Sequence, residues 1–195
     1  NNADVNTFGG GLNMSTQTAN ATGITLQGTI KTTEDQIDIG DAGTGIRLDG
    51  TATITTTGSA VINLAGAISG ADDNDNLIIN SEGVTTISQA VTALASLATD
   101  NLGSTVLSAN VTTSGLQTYG DDVTISGDRT LVGSTVAMKS LQGDGGGDDE
   151  LTITGILDLN GAATTDLKTL EVSSSSNLGG NVTTSTTQTY KGAVV

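Results

Sequence analysis

From Gly23 onward one small pattern recurs along the chain: two or three aliphatic residues alternate with polar ones, and Gly or an acidic turn then closes the run. Ile24 and Leu26 end at Gly28, Ile37 and Ile39 at Gly40, Ile46 and Leu48 at Gly50. The same rhythm continues through Thr51 to Gly58, Ala60 to Gly66 and Leu77 to Asn80, then through the pairs Val123 and Ile125, Val136 and Met138, Leu151 and Ile153, Leu157 and Leu159, and Leu170 and Val172. Alternation at period two sends one row of side chains inward and leaves the Thr, Asp and Arg between them outside. Runs this short suit strands and are too short for helices. Many short strands without helices between them leave two architectures, a parallel β-solenoid (β-helix) and an antiparallel β-sandwich.

A longer repeat favours the solenoid. NVTTSGLQTYGDDVTI, Asn110 to Ile125, largely returns as NVTTSTTQTYKGAVV, Asn181 to Val195, and the only two tyrosines, Tyr119 and Tyr190, share a slot 71 positions apart. Upstream, Leu94 to Thr113 overlies Leu167 to Thr184, and Asp72 to Asn80 overlies Gly146 to Thr154. Tandem similarity marks units that bury their apolar faces against one another. A slot kept in this way is expected to be packed. Coils of about 20 residues predict nine or ten rungs, which at about 4.8 Å each make a rod on the order of 45 Å long. Residues 1–22 lack the rhythm and read as an irregular cap or inter-repeat join, with the solenoid over 23–195. In Thr85 to Asp100, Ile87, Val91, Leu94 and Leu97 also fall at helical spacing, but the β-branched content favours strand.

Composition narrows the core and the partners. Of the 195 residues 35% are hydrophobic and 2% aromatic, so the core must be thin and filled by Val, Ile, Leu, Ala and Thr. Regular aliphatic pairs argue against the disorder that few aromatics and high charge would otherwise suggest. A net charge of -15 with six basic residues repels nucleic acid and anionic membranes. There is no cysteine for a disulfide framework. No apolar run approaches the roughly 20 residues that span a bilayer, and no charged start precedes a signal-like segment.

The TQTYxG repeat, the NVTT anchors and the LTIT-type strands resemble the repeat regions of large bacterial surface proteins of the filamentous-haemagglutinin and adhesin type. The resemblance covers best Leu94 to Val195. It implies a right-handed parallel β-helix in the shaft of an extracellular or cell-surface protein. The chain has neither the Asn-Pro signature of that family's export domain nor an Arg-Gly-Asp motif, so what it resembles is shaft.

For chemistry the inventory is restrictive. Without His or Cys, the triads and zinc sites that use them are absent, and carboxylates this common usually sit in solvated turns. No acid, base and nucleophile set stands out, and no enzyme is expected. The sharpest local motif, DGGGDDELT from Asp144 to Thr152, resembles the calcium-binding nonapeptide of secreted repeat toxins at Gly145, Gly147, Asp149 and Leu151. Asp144, Asp148 and Asp149, with Asp72, Asp73 and Asp75 in the counterpart GADDNDNLI, are the candidate calcium ligands. The plainer reading is an acidic turn. Thr51, Thr53, Thr55 and Thr57 could form an exposed ladder of the ice-binding kind, but the spacing does not recur. The sequons at Asn13, Asn20, Asn110 and Asn181 permit glycosylation in a suitable host.

Val195 aligns with Thr124, inside a strand. An uncapped terminal rung is an unpaired edge that invites another chain, so two readings follow: a fragment cut from a longer rod, or a subunit whose last rung stacks on the first rung of the next copy. Thr189, Tyr190, Val194, Val195 and Phe8 are therefore the candidate self-association residues, in a homo-oligomer or filament built head to tail. The expected function is structural. A sugar- or calcium-binding module of a surface layer or matrix, with host or matrix glycans as partners, is the alternative.

Overall fold

The computed structural model describes residues 6–8, 11–14, 23–161 and 164–195. Nineteen strands form a single sheet, paired in parallel from Ile24 to Tyr190. The sheet winds into a β-solenoid of about eight turns, and no helix occurs among the described residues. Parallel pairing excludes the sandwich. The turns are fewer than nine or ten because the early coils are long: Ala52 pairs with Leu77 across the acidic corner, whereas Leu77 pairs with Leu97 and Leu97 with Gln117.

Each turn has three faces, and each face carries columns of inward side chains stacked rung on rung. On the first face one column runs Ile24, Ile46, Ile68, Val91, Val111, Leu131, Ile153, Val172 and Tyr190. On the second it runs Ile30, Ile54, Ile79, Thr99, Tyr119, Met138, Leu159 and Leu178. The third stacks Met14, Ile39, Leu64, Ile87, Leu107 and Ile125, with Gly143 beneath. Most of these residues are fully buried, and β-branched or branched aliphatics dominate because only narrow side chains fill a tube whose walls repeat at strand spacing. Burying one such side chain contributes about 2 kcal/mol.

Thr85 to Asp100 is strand, as its β-branched content favours. Val84–Ile87, Val91–Leu94 and Ser96–Thr99 are separate strands on successive faces. The helical spacing of Ile87, Val91, Leu94 and Leu97 results from the corners between these strands and from a register shift within Val91–Leu94, where Ala93 sits at φ 54. The backbone of Asn6–Phe8 pairs with Ile30 to Thr32, and Leu12–Met14 pairs with Ile37 to Ile39. The rest of the opening stretch, and the side chain of Phe8, lie outside the described residues.

The long sequence repeat does not coincide with the coil. Tyr119 stands on the second face between Thr99 and Met138, whereas Tyr190 stands on the first face below Val172. Leu77 and its counterpart Leu151 are displaced in the same way, from second face to first. The repeat thus spans three whole turns and two further faces. Its unit is a strand, a corner and the next strand, and any of the three corners accepts it.

Two inward hydroxyls, those of Thr164 and Ser176, are buried without a hydrogen-bond partner among the described residues. Ser176 lies under Leu157 and above Val194. A buried hydroxyl without a partner costs about 1 kcal/mol or more. Ser176→Ala is therefore expected to raise stability by about 1 kcal/mol, read as a higher urea midpoint at unchanged slope; a lower midpoint would show that the hydroxyl is satisfied in solution.

Candidate functional site

The acidic turns build two equivalent corners. Asp75 is buried, and its Oδ1 accepts the Gly50 amide at 2.5 Å while Oδ2 accepts those of Ala71 at 2.5 Å and Asp72 at 3.2 Å. Asp149 repeats this: Oδ1 accepts the Gly127 amide at 2.6 Å and Oδ2 that of Asp144 at 2.8 Å. In both, one oxygen is bonded to the preceding rung and the other closes its own loop. One side chain thus gathers backbone donors from two rungs, of which the Ala71 amide also donates to the Leu48 carbonyl at 2.8 Å.

Only one acidic group among the described residues has metal-site dimensions: one carboxylate oxygen each from Asp144, Asp148 and Asp149 lies within 4.8 Å of the others. Asp144 and Asp148 are exposed, and Asp144 Oδ2 also accepts from the Ser126 hydroxyl at 2.7 Å. Calcium takes six to eight oxygens. Three carboxylates fit part of such a shell, with water left to supply the rest, although both Asp149 oxygens already serve the backbone. Asp72, Asp73 and Asp75 are not gathered in this way among the described residues; Asp72 instead accepts the Asn74 amide at 2.8 Å. The two loops also occupy different corners, so they do not stack into the consecutive turns of a nonapeptide calcium site.

Beside the second loop lies a shallow open groove of about 400 Å³, lined by Gly146, Gly147, Asp166, Leu167 and Thr183 to Ser185. The Ser185 hydroxyl donates to the Gly147 carbonyl at 3.0 Å and ties the loop to the last rung. Comparisons with protein-family models, with curated proteins and with solved structures give no match. Function must be argued from the geometry alone.

The most informative geometry is the pair of Gln-Tyr corners. In the interior copy, the Tyr119 hydroxyl donates to Gln117 Oε1 at 3.0 Å, and Gln117 Nε2 donates to the Val111 carbonyl at 3.2 Å and, one rung on, to the Val132 carbonyl at 2.7 Å. In Val182–Tyr190 the Tyr190 hydroxyl donates to Gln188 Oε1 at 3.1 Å and Gln188 Nε2 to the Val182 carbonyl at 2.9 Å. Tyr119 and Gln117 are fully buried, Tyr190 is half-buried and Gln188 exposed. Burial raises the pKa of both phenols above the ordinary value.

Among the self-association candidates, Thr189 and Tyr190 lie on a strand that, among the described residues, pairs only with Thr164–Val172. Val194 bridges Ser176 in parallel, and Val195 is the most exposed large apolar residue. Thr51, Thr53 and Thr55 do point outward, but the next rung sets Asn76, Ile78 and Asn80 beside that row, so no flat threonine array forms. Gln117 and Asp121 were not singled out from sequence; the QTY triplet is the only signal that pointed at the first.

Proposed function

We propose that the chain is a structural rod of an extracellular or cell-surface filament or adhesin shaft, extended by stacking further rungs on Val182–Tyr190. One observation carries this reading: the copy at Gln188 and Tyr190 repeats the two bonds that link tyrosine, glutamine and the preceding valine carbonyl in the interior copy, and lacks what the following rung supplies there. That rung gives Gln117 a second carbonyl and lays Met138 under Tyr119. The internal copy therefore specifies the chemistry of what would cover Tyr190, another parallel rung with an apolar residue beneath the ring. The exposed strand is nine residues long and uncharged, which favours strand addition over repulsion. The covering rung is either further chain or a second copy packed head to tail, and filament formation by this chain separates the two.

Negative-stain microscopy of the protein, alongside Tyr190→Asp, tests this. Wild type is expected to give uniform thin filaments with and without calcium, and the substitution to give short rods with a melting point within about 4 °C of wild type, since it puts a charge under the incoming rung while touching little of the core. Short rods only, for both proteins, would overturn end-to-end assembly. A second reading, a calcium-binding surface module, is favoured by the Asp144, Asp148 and Asp149 grouping beside a hydroxyl-lined groove fit for a glycan. Melting that rises with calcium in wild type but not in Asp148→Asn would support that alternative.

A further inference from the structure

Between the second and third faces, carboxylates follow one another down consecutive rungs: Glu82, Asp100, then Asp121 and Asp122. Asp121 differs from the rest. It is 2% exposed, and its carboxylate is held by two hydroxyls of the preceding turn, Thr99 Oγ1 on Oδ1 at 2.7 Å and Thr105 Oγ1 on Oδ2 at 2.7 Å. Thr99 ends the strand before that corner and Thr105 lies in the strand after it, so one side chain grips both sides of the loop through Asp100 to Gly103.

No cation pairs with it among the described residues. The charged and titratable groups around it are Asp100 and Glu82 from the rungs above, Tyr119 two residues earlier, and Asp122, which faces out and pairs with Lys139 at 3.2 Å. Burial is the main cause that raises the carboxyl pKa of Asp121, opposed by its two threonine bonds, with the charge of Asp100 adding to the rise. Asp100 is raised as well, first by burial, with Glu82 contributing. Asp122 is lowered, by the Ser140 hydroxyl and then by Lys139.

We infer that this corner is a proton-operated clamp: protonation of Asp121 removes an uncompensated buried charge beside Asp100 while Thr99 and Thr105 still hold the side chain, so that the rod is more stable in acid than at neutral pH. The sign follows from linkage. A carboxyl raised in the folded state binds protons better folded than unfolded, so its stabilising contribution is complete below the ordinary value of 3.8 and is lost as pH rises through the folded value. For Asp122 the window lies on the other side: its contribution is present above 3.8 and lost as pH falls through its lowered value. Acidification therefore engages Asp121 progressively as pH falls toward 3.8, a range in which the contribution of Asp122 is retained.

Thermal melting of the full chain over a pH series from about 8 to about 4 tests the clamp, with Asp121→Asn and Asp122→Asn as variants of identical net charge. Wild type is expected to melt about 3 to 6 °C higher in acid; Asp121→Asn to melt higher than wild type at about pH 8 and to lose most of the rise; Asp122→Asn to keep it. Equal loss in both variants, or full retention in Asp121→Asn, would overturn the clamp, the first because general relief of charge repulsion would explain it. Should Asp121→Asn fail to fold, hydrogen exchange of wild type decides. Protection at residues 103–107 and 120–123, relative to Ile46 to Leu48, is expected to rise in acid, and unchanged relative protection would refute the proposal.

Discussion

Gly70→Ala is expected to be among the most damaging single substitutions in the rod, at about 3 to 5 kcal/mol, with Gly143→Ala close behind it. A methyl at residue 70 would run into the Ala93 carbonyl of the next turn and lie 2.9 Å from Asp75 Oδ2; at residue 143 it would meet the Asp166 carbonyl and lie 2.7 Å from Asp149 Oδ2. Neither neighbour has room to retreat. Each carbonyl belongs to a residue in the left-handed region, Ala93 at φ 54 and Asp166 at φ 59, and each carboxylate is bonded to amides of two rungs. The methyl must therefore displace either the strand pairing or the buried aspartate. Urea unfolding followed by circular dichroism checks it, and a loss under about 1 kcal/mol for both variants would mean that the corners are far more compliant than their geometry.

The second large effect is a contrast within the repeat. Gln117→Ala is expected to cost about 3 to 4 kcal/mol, because it leaves the Tyr119 hydroxyl and the Val111 and Val132 carbonyls unpaired in the core and opens a cavity between them. Gln188→Ala removes the same side chain from the same motif, yet water can replace its bonds at the exposed end, so the cost is expected to stay below about 1 kcal/mol. The difference should shrink in assembled filaments, where the stacked rung buries Gln188 as the interior buries Gln117. Equilibrium unfolding of both variants, with filament disassembly as a second readout, measures it. Equal costs in the monomer would show that the motif acts locally and draws nothing from the rung beyond it.

Part of the candidate site was legible before the fold. The alignment of GADDNDNLI with the turn before LTIT pairs Asp75 with Asp149, and both turn out to do the same thing, because a corner needs an acceptor at one fixed distance before the next inward residue. What that alignment could not convey is the use of the carboxylates: they resemble a calcium loop in sequence and serve backbone amides in space. Asp121 was invisible for a related reason. Its partners Thr99 and Thr105 are one turn away, and a DD pair in an acidic chain carries no mark of which member is inside.

Strand type, inward rows and the solenoid class follow from period-two alternation and Gly-closed runs, because those are local properties that each run of about five residues expresses alone. The stacking is different. Which residue lies over which depends on how many residues each corner consumes, and this varies from Ala52 over Leu77 to Ser104 over Asp122. That sum of corner lengths, a nonlocal quantity, is why the tyrosine repeat lands on two different faces and why the rod has about eight turns. The sequence alone determined what each strand would bury; only the closed coil decided which aspartate would be sealed inside it.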